Sequence, residues 1–192
     1  TVTFWENCKD ISVGAGGNRI VSWINSGDDG VDIVHDENGS IKVGINEWPD
    51  NTTAVSTPGK IAADPNAGAF NWRFVAVTYN AESSKLNIYL GSNMMNAFLD
   101  KSIDYNRGPV GNNIGHLCIG NFNAESIHYG YSRMFKGLID EVNIFDSVLS
   151  LEDIQYIQMG RGTGIENKIS ADFGLNVYPN PFTNSTTLSY HL

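Results

Sequence analysis

The chain has 192 residues, with 21 acidic and 12 basic side chains and a formal net charge of −9 at pH 7. This charge repels nucleic acid and anionic membranes, and no cluster of lysine and arginine offsets it, so we expect neither as a partner. It also disfavours polyanionic glycans unless a bound cation bridges them. No apolar run is long enough to span a membrane. Twenty glycines and many aromatic residues instead favour short strands joined by turns.

Short apolar or alternating runs follow one another through the first half of the chain. They predict strands at residues 1–5, 20–24, 31–35, 41–45, 74–79 and 86–90. The third and fourth runs flank Asp36–Gly39, whose Asn-Gly end favours a hairpin turn. The fifth is apolar on both faces, which is typical of a central strand, and the sixth pairs back on it.

Two long segments carry little periodicity, residues 46–71 and residues 91–116, and both are interpreted as loops. A third, shorter loop covers residues 121–131 and precedes the final strand. Long loops on a compact sandwich are frequent binding sites, so these three are the first places to look for a ligand.

The final strand of the predicted domain contains an acid at an unexpected position. In residues 135–145, strict alternation places Leu138, Asp140 and Val142 on one face, which the pattern assigns to the core. A carboxylate buried there needs a metal ion, an arginine or several backbone amides. Immediately afterwards, Ser150 and Asp153 form a capping box that predicts a short helix. Leu151, Ile154 and Ile157 give this helix one apolar side, which we expect to pack across one end of the domain. Gly160 or Gly162 ends the helix.

Three segments in the same order resemble the laminin-G-like, concanavalin-type jelly rolls. They are Trp72–Tyr79 with Lys85–Gly91, then Leu117–Asn121, then Phe135–Phe145 with the Leu-Ser-x-Glu-Asp-Ile helix start. The resemblance implies an all-β fold, an antiparallel two-sheet jelly-roll sandwich with one short C-terminal helix. The matches cover most of residues 1–155, and the predicted domain covers residues 1–162. In the family the run at residues 1–5 resembles the second or third strand, so we expect an N-terminal strand to be missing. A polar linker follows at residues 163–172.

The last segment, residues 173–192, differs in composition from the rest. Its Val177–Phe182 motif (Val-Tyr-Pro-Asn-Pro-Phe) and the Asn-Ser-Thr-Thr-Leu-Ser-Tyr that follows resemble the start of the type IX secretion (Por) sorting domain of Bacteroidota. The resemblance implies a truncated sorting domain read by the type IX secretion machinery. We therefore expect a secreted or cell-surface protein.

Catalytic patterns are absent from the sequence. No Gly-x-Ser-x-Gly elbow is present, and the four histidines lack metal-ligand spacing. Asp140 and Glu141 are adjacent and alternate faces, whereas glycoside hydrolysis needs two carboxylates on one face. We therefore expect a module that is not an enzyme. An intact glycoside hydrolase is the least favoured reading.

Aromatic and polar residues in the three loops point instead to carbohydrate, because rings stack on sugar faces while polar groups bind the hydroxyls. The candidate ligand-binding residues are Trp48, Tyr105, Arg107, Asn121, Asn123, His128, Tyr129 and Tyr131. For each ring taken singly, the alternative is that it anchors its own loop to the sandwich. These residues predict a lectin-like module accessory to a larger extracellular enzyme or surface protein. The rival is a protein-binding adhesion module.

The family resemblance also implies a structural calcium ion in many members, and Asp140 is the residue to which that role carries over. A second candidate for Ca²⁺ is the acidic turn with Asp28, Asp29 and Asp32, for which a solvated acidic turn is the favoured alternative. Cys8 and Cys118 could form one disulfide in a secreted protein if their strands are neighbours, or both could be buried thiols.

Overall fold

The structure, a computed structural model, describes residues 1–9, 18–25, 27–50, 52–58, 72–111, 114–121 and 133–160 and two short C-terminal strands. The elements in chain order are β1 (Val2–Cys8), β2 (Asn18–Ser22), β3 (Val31–His35), β4 (Ile41–Ile45), β5 (Arg73–Asn80), β6 (Lys85–Ser92), β7 (Met95–Asp104), β8 (Cys118–Ile119), β9 (Gly137–Ile144), α1 (Leu151–Gln158), β10 (Asn176–Tyr178) and β11 (Thr187–Ser189).

Two antiparallel sheets face each other across one apolar core. The first has five strands in the order β7-β6-β5-β1-β9, and the second has four in the order β4-β3-β2-β8. Inward-facing side chains such as Phe4, Ile33, Val75 and Ile88 are fully buried between them. The predicted all-β, two-sheet jelly-roll sandwich with one short helix is confirmed.

Both hairpins predicted from alternation are present. β3 and β4 pair from Val31 with Ile45 to His35 with Ile41, and the Gly39 amide closes the turn on the Asp36 carbonyl. β5 lies between β6 and β1, as its two apolar faces predict. A long loop over residues 91–116 was the wrong expectation, because β7 occupies Met95–Asp104. β7 is an edge strand with mostly exposed side chains, so it lacks the apolar alternation that marks a strand in sequence.

A β-bulge in β9 overturns the predicted core-facing position of Asp140. Thr3 and Trp5 of β1 are two residues apart, but their partners Asn143 and Asp140 are three apart, so β9 holds one extra residue. Glu141 takes up that extra length with a left-handed φ of 48°. As a result Ile139 and Val142 both pack on the core, and Asp140 is exposed. Its Oδ1 accepts the amide of the next residue at 2.8 Å.

The left-handed backbone at Glu141 predicts an unusual response to glycine. We expect Glu141→Gly to raise the free energy of unfolding by up to about 1 kcal/mol, since left-handed φ strains any residue with a Cβ. Glu141→Val should lower it by about 1–2 kcal/mol, because a β-branched side chain tolerates this φ least. Urea unfolding measures both. Ser102→Gly, in the exposed regular strand β7, is the control and should destabilise by roughly 0.5–1 kcal/mol. A loss of stability in Glu141→Gly equal to that of the control would contradict the bulge.

Helix α1 begins where the sequence predicts, but it packs on a different part of the sandwich from the one expected. The Ser150 side chain caps the Asp153 amide, and Asp153 returns the bond to the Ser150 backbone. Ile154 and Ile157 pack with Phe74 and other residues on the outer face of the five-stranded sheet, not across the end of the sandwich. A second, smaller core therefore covers that face of the sheet.

One end of the main core contains a buried ionic cluster. Arg73 and Glu6 are register partners on β5 and β1, and the Arg73 Nε donates to Glu6 Oε1 at 2.5 Å. Arg73 Nη1 donates to the Gly39 carbonyl at 2.6 Å, which ties the β3–β4 turn to the other sheet. His35 Nε2 lies 4.0 Å from Glu6 Oε1. Burial lowers the pKa of His35, and the nearby Arg73 lowers it further.

Three further expectations from the sequence concern the two cysteines, membrane-spanning segments and the C-terminal strands. Cys8 and Cys118 lie on strands of different sheets and no disulfide joins them. In the part of the chain that the structure describes, no helix is long and apolar enough to cross a membrane. β10 and β11 pair antiparallel as a separate two-stranded sheet, with Val177 opposite Leu188.

Candidate functional site

The outer face of the four-stranded sheet is covered by a loop. Val31 and Ile33 of β3 belong to the core, so Asp32 between them points to the opposite face. Asp32 is nevertheless fully buried, because residues 46–50 fold back over the sheet. Gly44 permits this close approach, since a Cβ there would lie 2.1 Å from the Glu47 carbonyl oxygen. The loop therefore makes a second, polar layer on top of the sandwich.

Under this loop lies an ion pair, whose Asp32 the sequence analysis named only as a calcium candidate and whose Arg19 it did not name. Arg19 Nε and Nη2 donate to Asp32 Oδ2 at 3.0 and 2.9 Å, and both side chains are almost fully buried. The guanidinium of Arg19 lies 5.9 Å from the centroid of the Trp48 ring, within cation–π range. Trp48 itself is partly exposed. A buried charge pair thus supports one face of a ring that can still meet solvent.

Burial dominates the electrostatics of this ion pair. It raises the pKa of Asp32 to about 6, against the opposing effect of the Arg19 guanidinium. Burial likewise lowers the pKa of Arg19, partly offset by Asp32. Arg133, which follows the third loop, lies near enough to lower the pKa values of both residues. Arg133 therefore lies close to the same ion pair that the first loop covers.

The raised pKa of Asp32 predicts a pH-dependent stability with a definite sign. The folded protein binds a proton at Asp32 more tightly than the unfolded chain, so this contribution is present below pH 4 and is lost as pH rises through about 6. A shift of about two pKa units corresponds to at most about 3 kcal/mol. His35 acts in the opposite direction because its pKa is lowered, which weakens the folded state as pH falls.

The measurement is urea unfolding between about pH 4 and 7 for the wild type and Asp32→Asn. The difference between their unfolding free energies should change across this range by about 1–3 kcal/mol, in favour of the asparagine variant at higher pH. His35 is common to both proteins and cancels. A difference that stays constant with pH would contradict the assignment to Asp32.

The second loop joins the first through Glu47. The Glu47 carboxylate accepts hydrogen bonds from the Tyr105 hydroxyl and from the Arg107 guanidinium, one on each oxygen. Asn46 Nδ2 donates to the carbonyls of Arg107 and Pro109 at 2.9 and 2.8 Å. The first loop and the segment that follows β7 therefore contact each other, although they are far apart in sequence. We use the name Trp48 surface for Glu47, Trp48 and Arg107 together with the buried pair of Arg19 and Asp32 that lies beneath the Trp48 ring.

The structure separates the predicted ligand-binding residues into four groups. Trp48 and Arg107 lie on the Trp48 surface, and Arg107 is 42% exposed. Tyr105 is only 2% exposed, and burial raises its pKa, so its ring anchors the loop and is not available for stacking. Asn121 is half-buried beside β8. The others, Asn123, His128, Tyr129 and Tyr131, lie outside the described residues.

The acids predicted to bind calcium do not come together. Asp140 is exposed on β9, Asp28 is exposed in the turn after β2, and Asp32 is engaged by Arg19. Asn25 organises that turn by accepting the Gly27 and Asp29 amides, as a solvated acidic turn does. Among the described residues, no group of three or more His, Cys, Asp and Glu side chains is placed to hold a metal ion. The acids present at these positions do not fit a calcium cage.

A comparison with protein families decides the classification. A laminin-G family model, described as the concanavalin A-like lectin/glucanases superfamily, matches residues 1–155. The chain belongs to this superfamily. No curated protein matches it. The match covers both sheets of this concanavalin A-like domain and ends at residue 155, within helix α1.

In this concanavalin A-like domain the residues missed by sequence reasoning are charged ones. Arg19 directly precedes the apolar run at residues 20–24, and Asp32, named only as a calcium candidate, lies inside the run at residues 31–35. A charge in or beside such a run was the available signal for a buried partner. Glu47 directly precedes Trp48 and gave no pattern of its own. Its role depends on Arg107, which is 60 residues away in sequence.

Proposed function

We propose that this domain is a secreted, non-catalytic carbohydrate-binding module, accessory to a larger extracellular enzyme or surface protein, and that the Trp48 surface is its glycan site. Membership of a lectin and glucanase superfamily supports binding of carbohydrate in general. The observation that carries the proposal is the partly exposed Trp48 ring, supported from beneath by the Arg19 guanidinium. Such a ring offers a rigid, apolar face for a pyranose at little entropic cost.

The polar groups around the ring suit recognition of neutral sugars. Arg107 is exposed and can donate to sugar hydroxyls while it keeps its contact with Glu47. The two acids of the surface each hold an arginine, Asp32 with Arg19 and Glu47 with Arg107. A carboxylate held in this way is a poor general acid or nucleophile for glycoside hydrolysis, which favours binding without cleavage.

Trp48→Ala tests the glycan site directly. We expect it to weaken retention on the polysaccharide that the wild type binds by about tenfold or more, because an exposed tryptophan anchor contributes on the order of 2 kcal/mol. Affinity electrophoresis against cellulose, xylan, laminarin and mannan provides the measurement. Trp48→Phe should keep part of the affinity, since a phenyl ring still stacks.

The control is Phe98→Ala, which removes an aromatic ring 42% exposed on β7 of the other sheet. It should leave retention unchanged. Circular dichroism and thermal unfolding show that each variant is folded. Equal loss in Trp48→Ala and Phe98→Ala, or no retention of any polysaccharide by the wild type, would contradict the proposal.

A protein-binding adhesion module is the second candidate, and a specific observation favours it. β8 and β9 are edge strands of the two sheets. Three apolar side chains on or directly beside these strands are about half exposed: Leu117 (53%), Ile119 (52%) and Leu138 (53%). Apolar residues at open strand edges suit contact with another protein. Capture of a protein partner that Leu138→Asp abolishes and Trp48→Ala leaves intact would favour this function.

Export through the type IX secretion system is part of the same proposal. β10 and β11 pair antiparallel in their own small sheet, and the resemblance to a sorting domain implies two such neighbouring strands. A two-stranded sheet of three-residue strands is marginal by itself. This supports its role as the start of a larger unit.

A further inference from the structure

A cavity of about 300 Å³ lies between the two sheets, separate from the Trp48 surface on the outer face. Its opposite walls are two pairs of strand residues in register: Val2 with Val77 from one sheet, and Val31 with Ile45 from the other. Sheets of a sandwich lie roughly 10 Å apart, and short valine side chains facing each other leave part of that gap unfilled. The cavity therefore follows from the choice of valine at this end of the core.

Aromatic residues close the sides of the cavity. Trp23, Tyr79 and Phe145 line it, and the Tyr79 hydroxyl is turned away to donate to the Gly108 carbonyl at 2.6 Å. The ring of Tyr79 is thus presented without its polar end. Water in such an apolar space makes few hydrogen bonds, so an apolar molecule that displaces it gains free energy.

The rim of the cavity decides the charge of its ligand. Ile144, 47% exposed, and the exposed Asp146 both lie on the lining, and Asp146 is the one carboxylate among the lining residues that the structure describes. The Thr1 ammonium also belongs to the lining, and it donates to the carbonyls of Phe145 and Ser147. A carboxylate at the rim of a protein with net charge −9 repels anions and accepts a hydrogen bond from a hydroxyl group.

We propose that the inter-sheet cavity is a binding site for a neutral, mainly apolar ring compound that carries a hydroxyl group, with the ring between the valine walls and the hydroxyl donating to Asp146. The size is at the lower end of the range for ligand pockets, which fits one or two fused rings rather than a long acyl chain. This site is independent of the glycan proposal.

The experiment compares three probes of one shape, namely 2-naphthol, naphthalene and 2-naphthoate, by isothermal titration calorimetry with the full chain. We expect 2-naphthol to bind best and 2-naphthoate to bind worst, by about tenfold or more, because of the rim carboxylate. Asp146→Asn should narrow the gap between 2-naphthol and 2-naphthoate. Since Asp146 is exposed, this variant should fold normally.

Ile144→Trp fills the rim and should weaken 2-naphthol binding by about tenfold or more, as overfilling an apolar pocket does. Its control is Ile119→Trp, at a residue of similar exposure outside the cavity lining, which should bind 2-naphthol as the wild type does. Failure of 2-naphthol to bind, equal binding of 2-naphthoate, or equal effects of the two tryptophan variants would each overturn the proposal. Loss of polysaccharide binding in Trp48→Ala leaves it untouched.

Discussion

Arg73→Met should lower the free energy of unfolding by about 3–5 kcal/mol, because it leaves a buried carboxylate without its counter-charge. Glu6 is 1% exposed, and its Oε1 accepts the Arg73 guanidinium. The same substitution removes the donor to the Gly39 carbonyl, so the link between the β3–β4 turn and the opposite sheet is lost as well. Urea unfolding at pH 8 measures the change.

The pH dependence of this effect separates it from simple loss of packing. Arg73 contributes to the lowered pKa of His35, so its removal should let His35 accept a proton more easily and act as a substitute cation beside Glu6. The destabilisation should therefore be smaller at pH 5 than at pH 8.

Two controls complete the test. The double variant Arg73→Met with Glu6→Leu should recover most of the loss, since apolar replacement of a buried ion pair is often neutral. Lys85→Met removes the partly exposed pair of Lys85 with Asp104 and should cost less than about 1 kcal/mol. Equal losses in Lys85→Met and Arg73→Met would contradict the expected difference between exposed and buried pairs.

Arg19→Met is expected to have the second largest effect, about 3 kcal/mol at pH 8, and to affect the Trp48 surface. Asp32 is fully buried and has an already raised pKa, so without Arg19 it must take up a proton or remain an unpaired charge. Protonation costs little at pH 5 and more at pH 8. The loss of stability should therefore grow with pH.

Arg19→Met also removes the cation beneath the Trp48 ring, which contributes about 1–2 kcal/mol where it is desolvated. Under the proposed function, polysaccharide retention should weaken even at pH 5, where the variant is most stable. The double variant Arg19→Met with Asp32→Leu should regain stability and still show weak retention. Full retention in that double variant would mean that Arg19 supports the fold and not the ring.

The local features of this chain were predictable because neighbouring residues decide them. Ser150 and Asp153 are three residues apart, so the capping box could be identified from sequence and is confirmed. The Asn38-Gly39 turn fixed the β3–β4 hairpin in the same way, because a glycine there can adopt its φ of 82° without strain. The apolar faces of β5 likewise predicted a central strand.

Features that depend on distant partners were not predictable from one sequence. Asp140 was assigned to the core by alternation, and one extra residue at Glu141 turned it to solvent. Nothing near Glu141 marks the bulge, since its partner strand β1 lies more than 130 residues away. Tyr105 was a candidate for stacking until its contact with Glu47, which only the folded loops bring together, showed it to be buried.

The sequence by itself determined most of the strands, the β3–β4 and β5–β6 hairpins and the capped helix, because strand alternation, turns and caps depend on residues close together in the chain. The arrangement of the strands in two antiparallel sheets was implied by the resemblance to laminin-G-like jelly rolls. The tertiary structure decided which charges are buried, since Arg19 meets Asp32 and Arg73 meets Glu6 only when strands pair. It also decided that Arg107 binds Glu47, the residue next to Trp48 in the chain. Side-chain burial and long-range pairing are properties of the packed sandwich, and no local pattern specifies them.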